Sequence, residues 1–108
     1  MRTLFVLLLA AAFAGGAHAK GNAEKGKAKA AQVCVACHGA DGAKPVAPEN
    51  PILAGQYPEY LMKALSDYKS GKRSNPIMKA FADPLTRQEM EDLAAWFASQ
   101  QSNLHFQR

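Results

Sequence analysis

The chain has 108 residues, a length that fits one domain. Its 13 basic and 9 acidic side chains leave a formal charge of +4 with no run of five or six like charges, too mild an excess to indicate a nucleic-acid partner. The longest apolar run, Leu4 to Ala14, has 11 residues against the roughly 20 that a membrane span needs, and two cysteines leave no second pair to complete a zinc site.

Met1-Arg2-Thr3 precedes that run as a positive segment, and Ala17-His18-Ala19 follows it with the small-x-small form of a cleavage site. Residues 1–19 therefore read as a secretory signal peptide. The mature domain is expected to run from Lys20 to residue 108, 89 residues with a net charge of +3 once Arg2 is removed, and to work in the periplasm with no membrane span. His18 leaves with the signal and is no ligand. A chain this short buries a modest share of its surface, so something is expected to supplement its core.

Asn22 is placed to cap a helix over Ala23–Val33, with Glu24 in its first turn where negative charge complements the helix dipole. Gly26 interrupts that helix at a cost of up to about 1 kcal/mol relative to Ala. With Ala30 one turn on, it predicts a small-residue groove into which an aromatic side chain of the last helix drops.

This first helix should run into Cys34-Val35-Ala36-Cys37-His38. Cys-x-x-Cys-His is the attachment pattern of a c-type haem. Two thiols so spaced on a tight turn can each form a thioether to one edge of a flat macrocycle, and the adjoining imidazole can hold the iron. Val35 and Ala36 are apolar, as suits residues pressed near the ring. A thioredoxin-like redox pair would need a βαβ pattern, which the chain does not offer; a disulfide staple is the remaining alternative.

From Gly39 to Gln56 the composition shifts to Gly, Pro, Asp and Asn, with Pro45, Pro48 and Pro51 at three-residue intervals. An ordered, extended loop is expected, wrapping one side of the haem. A metal-bound His normally donates its other ring N–H to an acceptor, and a carbonyl near Pro51 is the candidate partner for His38.

Pro58 at a first helical position and Gly71 past the end delimit a helix over 58–70, with Tyr60, Leu61, Ala64, Leu65 and Tyr68 on one apolar face. A second loop, Gly71 to Pro84, contains Asn75-Pro76-Ile77-Met78. Of three methionines in the mature chain, Met62 lies next to a buried helix face, and Met90 sits at the fourth position of a last helix, Arg87 to about Gln101. That helix is introduced by the capping box Thr86-Arg87-Gln88-Glu89 with Leu85 as a staple. Met78 alone falls in a loop, after a rigid Asn-Pro turn that can aim it, and is the expected sixth ligand of the iron. His105, near the C-terminus, is its rival.

These features together resemble the small bacterial class I cytochromes c over essentially the whole mature length. The resemblance rests on Gly26 eight residues before the Cys34–His38 motif, Pro51-Ile52-Leu53-Ala54-Gly55 in place of Pro-Asn-Leu-x-Gly, the Met78 loop, and Leu93, Trp96 and Phe97 in the last helix. Ile52 departs from the usual Asn, and Ala30 is smaller than the aromatic many relatives carry. The resemblance implies an all-α fold of three to four helices around one haem c, covalently attached through Cys34 and Cys37. It further implies His38 and Met78 as axial ligands, with the Pro51 carbonyl bonded to His38.

With both axial positions filled, no substrate reaches the iron, and the expected role is one-electron transfer rather than catalysis. Lys25, Lys27, Lys29, Lys63, Lys69, Lys72, Arg73 and Lys79 offer a basic rim for redox partners with an acidic docking surface. Two alternatives stay open: a haem subunit of a larger dehydrogenase or oxidase, and a sensor or peroxidase with a labile sixth ligand.

Overall fold

The computed structural model describes residues 21–102; the expected signal segment 1–19, its cleavage point before Lys20, and His105 lie outside them. The described residues are all helical apart from loops and turns, in five segments: α1 (Ala23–Val33), α2 (Val35–His38), α3 (Pro58–Ser70), α4 (Pro76–Ala82) and α5 (Arg87–Ala98). None is long and apolar enough to cross a membrane.

Local chemistry sets most boundaries. The Asn22 carboxamide accepts from the Lys25 N–H at 3.0 Å and starts α1. Gly71, in the left-handed region at φ 84°, ends α3 by donating to the Tyr68 carbonyl. The Thr86 hydroxyl accepts from the Glu89 N–H at 3.1 Å and starts α5. Glu89 does not complete a reciprocal box, because its carboxylate turns to the Lys29 ammonium of α1, 2.8 Å away.

The helix α1 runs up to the haem motif, as expected: it ends at Val33, Cys34 caps it at φ −114°, ψ −39°, and α2 starts afresh. Two expectations are corrected. The last helix ends at Ala98, where the Ser99 hydroxyl folds back onto the Trp96 carbonyl at 2.7 Å. The segment around Met78 is a helix, because Asn75 is an N-cap whose side chain accepts from the Ile77 and Met78 N–H groups at 3.0 and 3.1 Å, and Pro76 occupies the first turn.

The core lies where α1, α3 and α5 meet, and consists of Ala30, Leu61, Leu85, Met90, Leu93, Ala94 and Phe97. At the crossing of α1 and α5, a Cβ on Gly26 would lie 1.9 Å from the Asp92 carbonyl oxygen and 2.9 Å from the Trp96 Cβ. What fills the groove is thus the backbone of α5, not an inserted aromatic ring. Trp96 lies half-buried with the Lys27 ammonium 5.5 Å from its ring centroid, and Phe97 turns to the opposite side of α5's contact, toward Gly42. Asp92 is buried and locks the crossing, accepting from the Asn22 N–H at 2.7 Å and the Gln88 side chain at 2.9 Å.

Gly26→Ala is therefore expected to push α1 off α5 and destabilise the purified protein by about 3 kcal/mol, the scale of overpacking a tight contact, measured by guanidinium unfolding. A second expectation concerns pH. The hydrogen bond from Lys29, foremost, holds the Glu89 carboxyl below its ordinary value of 4.5. A carboxylate whose value is depressed by folding stabilises above its unfolded value and loses that contribution as pH falls through the folded one. Glu89→Gln should lower Tm at pH 7, and the gap to the parent should close as the pH is taken below 4.5.

Candidate functional site

The site is built on the break between α1 and α2. The Cys34 N–H donates to the Ala30 carbonyl at 2.8 Å, ending α1, and the Cys34 carbonyl accepts from Cys37 at 3.3 Å and His38 at 3.0 Å. One helical turn so anchored sets residues 34, 37 and 38 on one face. Both thiols are free; Cys34 is half-buried and Cys37 exposed. Burial pushes the Cys34 thiol up to about 11, against a smaller opposing pull from Lys29. Redox-active Cys-x-x-Cys thiols have lowered values, so Cys34 lacks that character. Val35 packs on the core and Ala36 is exposed, and neither lines the cavity beside the thiols, which corrects their expected place against the ring.

His38 is buried, with 7% of its surface exposed. Its Nδ1 lies 3.0 Å from the Pro51 carbonyl oxygen. A carbonyl only accepts, so Nδ1 carries the proton and Nε2 keeps the lone pair that a metal requires. The Pro51 loop is held in place from both ends. The Cys37 carbonyl accepts from the Val46 N–H at 3.0 Å and the Asn50 side chain at 3.2 Å, and the Gly42 carbonyl accepts from Leu53 and Ala54 at 2.9 and 3.2 Å. Gly42 adopts φ 77°, and a Cβ there would meet the Phe97 ring at 2.7 Å. Sequence reasoning missed Gly42 and Asn50; the Gly39-Ala40-Asp41-Gly42 turn was the available signal for the first.

A cavity of about 520 Å³ opens onto this face, within the size range of cofactor sites. Cys34, Cys37, His38 and Pro51 all line it, and so does Met78 from α4; Met62 and Met90 do not. Its walls are largely apolar, with Leu61 and Leu65 from α3 and Leu93 and Phe97 from α5. Four large apolar side chains that line it are left exposed, Ile52 at 37%, Tyr60 at 51%, Ile77 at 67% and Phe81 at 43%. Among the described residues no three His, Cys, Asp or Glu side chains converge on a common ion position. A flat, mostly apolar macrocycle carrying its own iron fits this arrangement: two thiols at one edge, one imidazole with a free Nε2, a thioether, and uncovered apolar surface for the ring to cover.

The cations foreseen as a rim are mostly engaged. Lys29, Lys63 and Lys79 pair with Glu89, Asp67 and Asp83, and Arg73 lies 4.7 Å from the Tyr68 ring centroid.

Residues 23–101 match the family model described as cytochrome c. This chain belongs to the cytochrome c family. Haem c is the cofactor of that family, and the residues described above fit it. The chain is 48% identical to cytochrome c4 of Pseudomonas aeruginosa over 103 residues, 95% of its own length and 50% of that protein's. It is 47% identical over 66 residues to a thiosulfate dehydrogenase electron acceptor of Stutzerimonas stutzeri, covering 61% of this chain and 31% of that protein. Its fold superposes on the crystal structure of reduced recombinant cytochrome c4 from Pseudomonas stutzeri with a TM-score of 0.70 and 43% identity, over 78% of this chain and 48% of that one. The chain thus spans about half the length of the cytochromes c4 it matches. These likenesses and the all-helical architecture agree with the class I fold expected from the sequence, with five helical segments where three to four were foreseen.

Proposed function

We propose that this chain is a periplasmic one-electron carrier, exported by a signal peptide at residues 1–19, that holds one haem c between His38 and Met78. The observation that carries the reading is the convergence of Cys34, Cys37, His38 and Met78 on one cavity. When bound, the haem supplies an iron that alternates between ferrous and ferric states.

Each residue has a separate task. Cys34 and Cys37 tether the group through thioethers. His38 would hold the iron through Nε2, and its Nδ1–H, donated to Pro51, fixes the ring's orientation and raises its basicity. The Met78 sulfur would serve as a second protein ligand to the iron and favour its ferrous state. Leu61, Leu65, Leu93 and Phe97 keep water from the site, which further tunes the potential. An iron held by both His38 and Met78 would leave no place for a substrate, and that supports a carrier over an enzyme. A second reading, a haem subunit of a larger complex, draws on the half-length match to longer relatives and on the dehydrogenase acceptor among them; purification of the native chain alone or with a partner separates the two.

Two outcomes are expected. Met78→Ala should abolish the weak thioether-to-ferric-iron absorption band and lower the reduction potential, whereas Met62→Ala and Met90→Ala should keep the band. A band that survives the loss of Met78 contradicts the ligand assignment. The second concerns the partner, taken to be a redox protein with an acidic docking surface that meets the remaining basic side chains, Lys25 and Lys72 among them. Its electron-transfer rate with this chain should fall as ionic strength rises, and a flat response removes the steering.

A further inference from the structure

Among the five helical segments α4 is shallowly embedded: of its seven residues only Ala82 is buried and Met78 is half-buried, while Pro76, Ile77, Lys79, Ala80 and Phe81 are exposed. Its helical neighbour is α3. Apolar burial alone is a thin basis for fixing so short a helix, since seven residues are well below the length at which an isolated helix is stable in water.

A reciprocal pair of lysines joins the two helices. The Lys69 ammonium, from the last turn of α3, donates to the carbonyl oxygens of Asp83 at 2.5 Å and Leu85 at 2.8 Å, just past the end of α4. The Lys79 ammonium, from α4, donates to the Lys69 carbonyl at 3.0 Å and to the Asp83 carboxylate at 2.9 Å. Carbonyls at helix C-termini lack intrahelical partners and carry the negative end of the helix dipole, so a cation is favoured at the Lys69 and Asp83 carbonyls; the Leu85 carbonyl lies in the turn before α5. The Lys79–Asp83 pair, four residues apart on an exposed surface, would by itself contribute little. Lys69 changes this by tying the same Asp83 to another helix, so that lifting α4 and the turn after it off α3 breaks three charge-assisted bonds together.

We propose that Lys69 is a positioning residue for Met78: its clasp on the Asp83 and Leu85 carbonyls holds α4 against α3 and thereby sets how readily the Met78 sulfur leaves its place in the cavity. The inference rests on Met78 being the sixth ligand. Local openings of this kind have free energies well below that of global unfolding, so a loosened clasp shows in ligand exchange before it shows in overall stability.

The test uses the haem-loaded full chain in its ferric state, with imidazole added as a competing ligand and loss of the thioether band followed by stopped flow. Lys69→Met is expected to raise the exchange rate about tenfold or more, the scale of losing one hydrogen bond to a charged group. Lys69→Arg, whose guanidinium keeps the charge and several donors, should return the rate toward that of the parent. Asp83→Asn, which weakens only the Lys79 arm, should give a smaller rise, and it carries the test if Lys69→Met does not accumulate. An unchanged exchange rate in a folded variant overturns the inference. So does a rise that merely tracks the global unfolding rate measured by circular dichroism, because that marks a general structural role. Failure of the underlying ligand reading is seen separately, as a band that persists in Met78→Ala.

Discussion

The constraint that sets the positions of the other elements is the backbone-to-backbone contact of α1 and α5 at Gly26. No side chain, not even a methyl group, fits between the two helices there, since the Asp92 carbonyl occupies the space. That closeness fixes the angle and depth at which α1 arrives. It brings Lys29 to Glu89, the Asn22 N–H to the buried Asp92 carboxylate, and Ala30 into the core. The end of α1 is then determined, and with it the point at which Cys34 turns the chain into α2. The cofactor face inherits its position from a contact about two turns earlier, on α1.

Beyond that crossing, the chain supplies a frame more than a filled interior. Among the described residues four of the ten buried apolar side chains are alanines, and Leu93 is the one large side chain fully withdrawn from solvent. The cavity of about 520 Å³ occupies the place where a protein of this size would otherwise pack its own side chains. A chain with so modest a core is marginal by itself. A covalently tethered macrocycle meets the same need that disulfides or metals meet in other small domains. The Pro51 loop, held by carbonyls of Cys37 and Gly42, completes the frame without contributing regular structure.

What was legible in the sequence was local. The thiol and imidazole spacing in Cys34–His38 is dictated by covalent chemistry over five residues, and the caps at Asn22, Gly71 and Thr86 are each decided within one helical turn. Less legible were features whose meaning depends on what comes from elsewhere in the chain. Gly26 signals a close approach, but a glycine cannot say whether a ring or a carbonyl will fill the gap. Asn75-Pro76 is equally a rigid turn and a capped helix start, and α4 is too short and too exposed for periodicity to decide between them. Asp92, an acid on an amphipathic helix, reads as a solvent-facing residue until the Asn22 N–H arrives to bury it. Lys69 reads as a surface cation, since the carbonyls it clasps lie 14 and 16 residues away.

The bond between Asn22 and Asp92 spans 70 positions. Closing a loop of that length costs roughly 4 kcal/mol of chain entropy beyond a constant term. The residues that shelter Cys34 are recruited across the same span: of the seven side chains in the cluster it packs against, Leu85, Met90, Leu93, Ala94 and Phe97 come from the final quarter of the described chain. During synthesis, which proceeds from the N-terminus, the Cys-x-x-Cys-His segment therefore emerges well before the helix that covers it. A thiol enclosed in the finished molecule is open to chemistry on the unfinished one, and the arrival of α5 ends that interval.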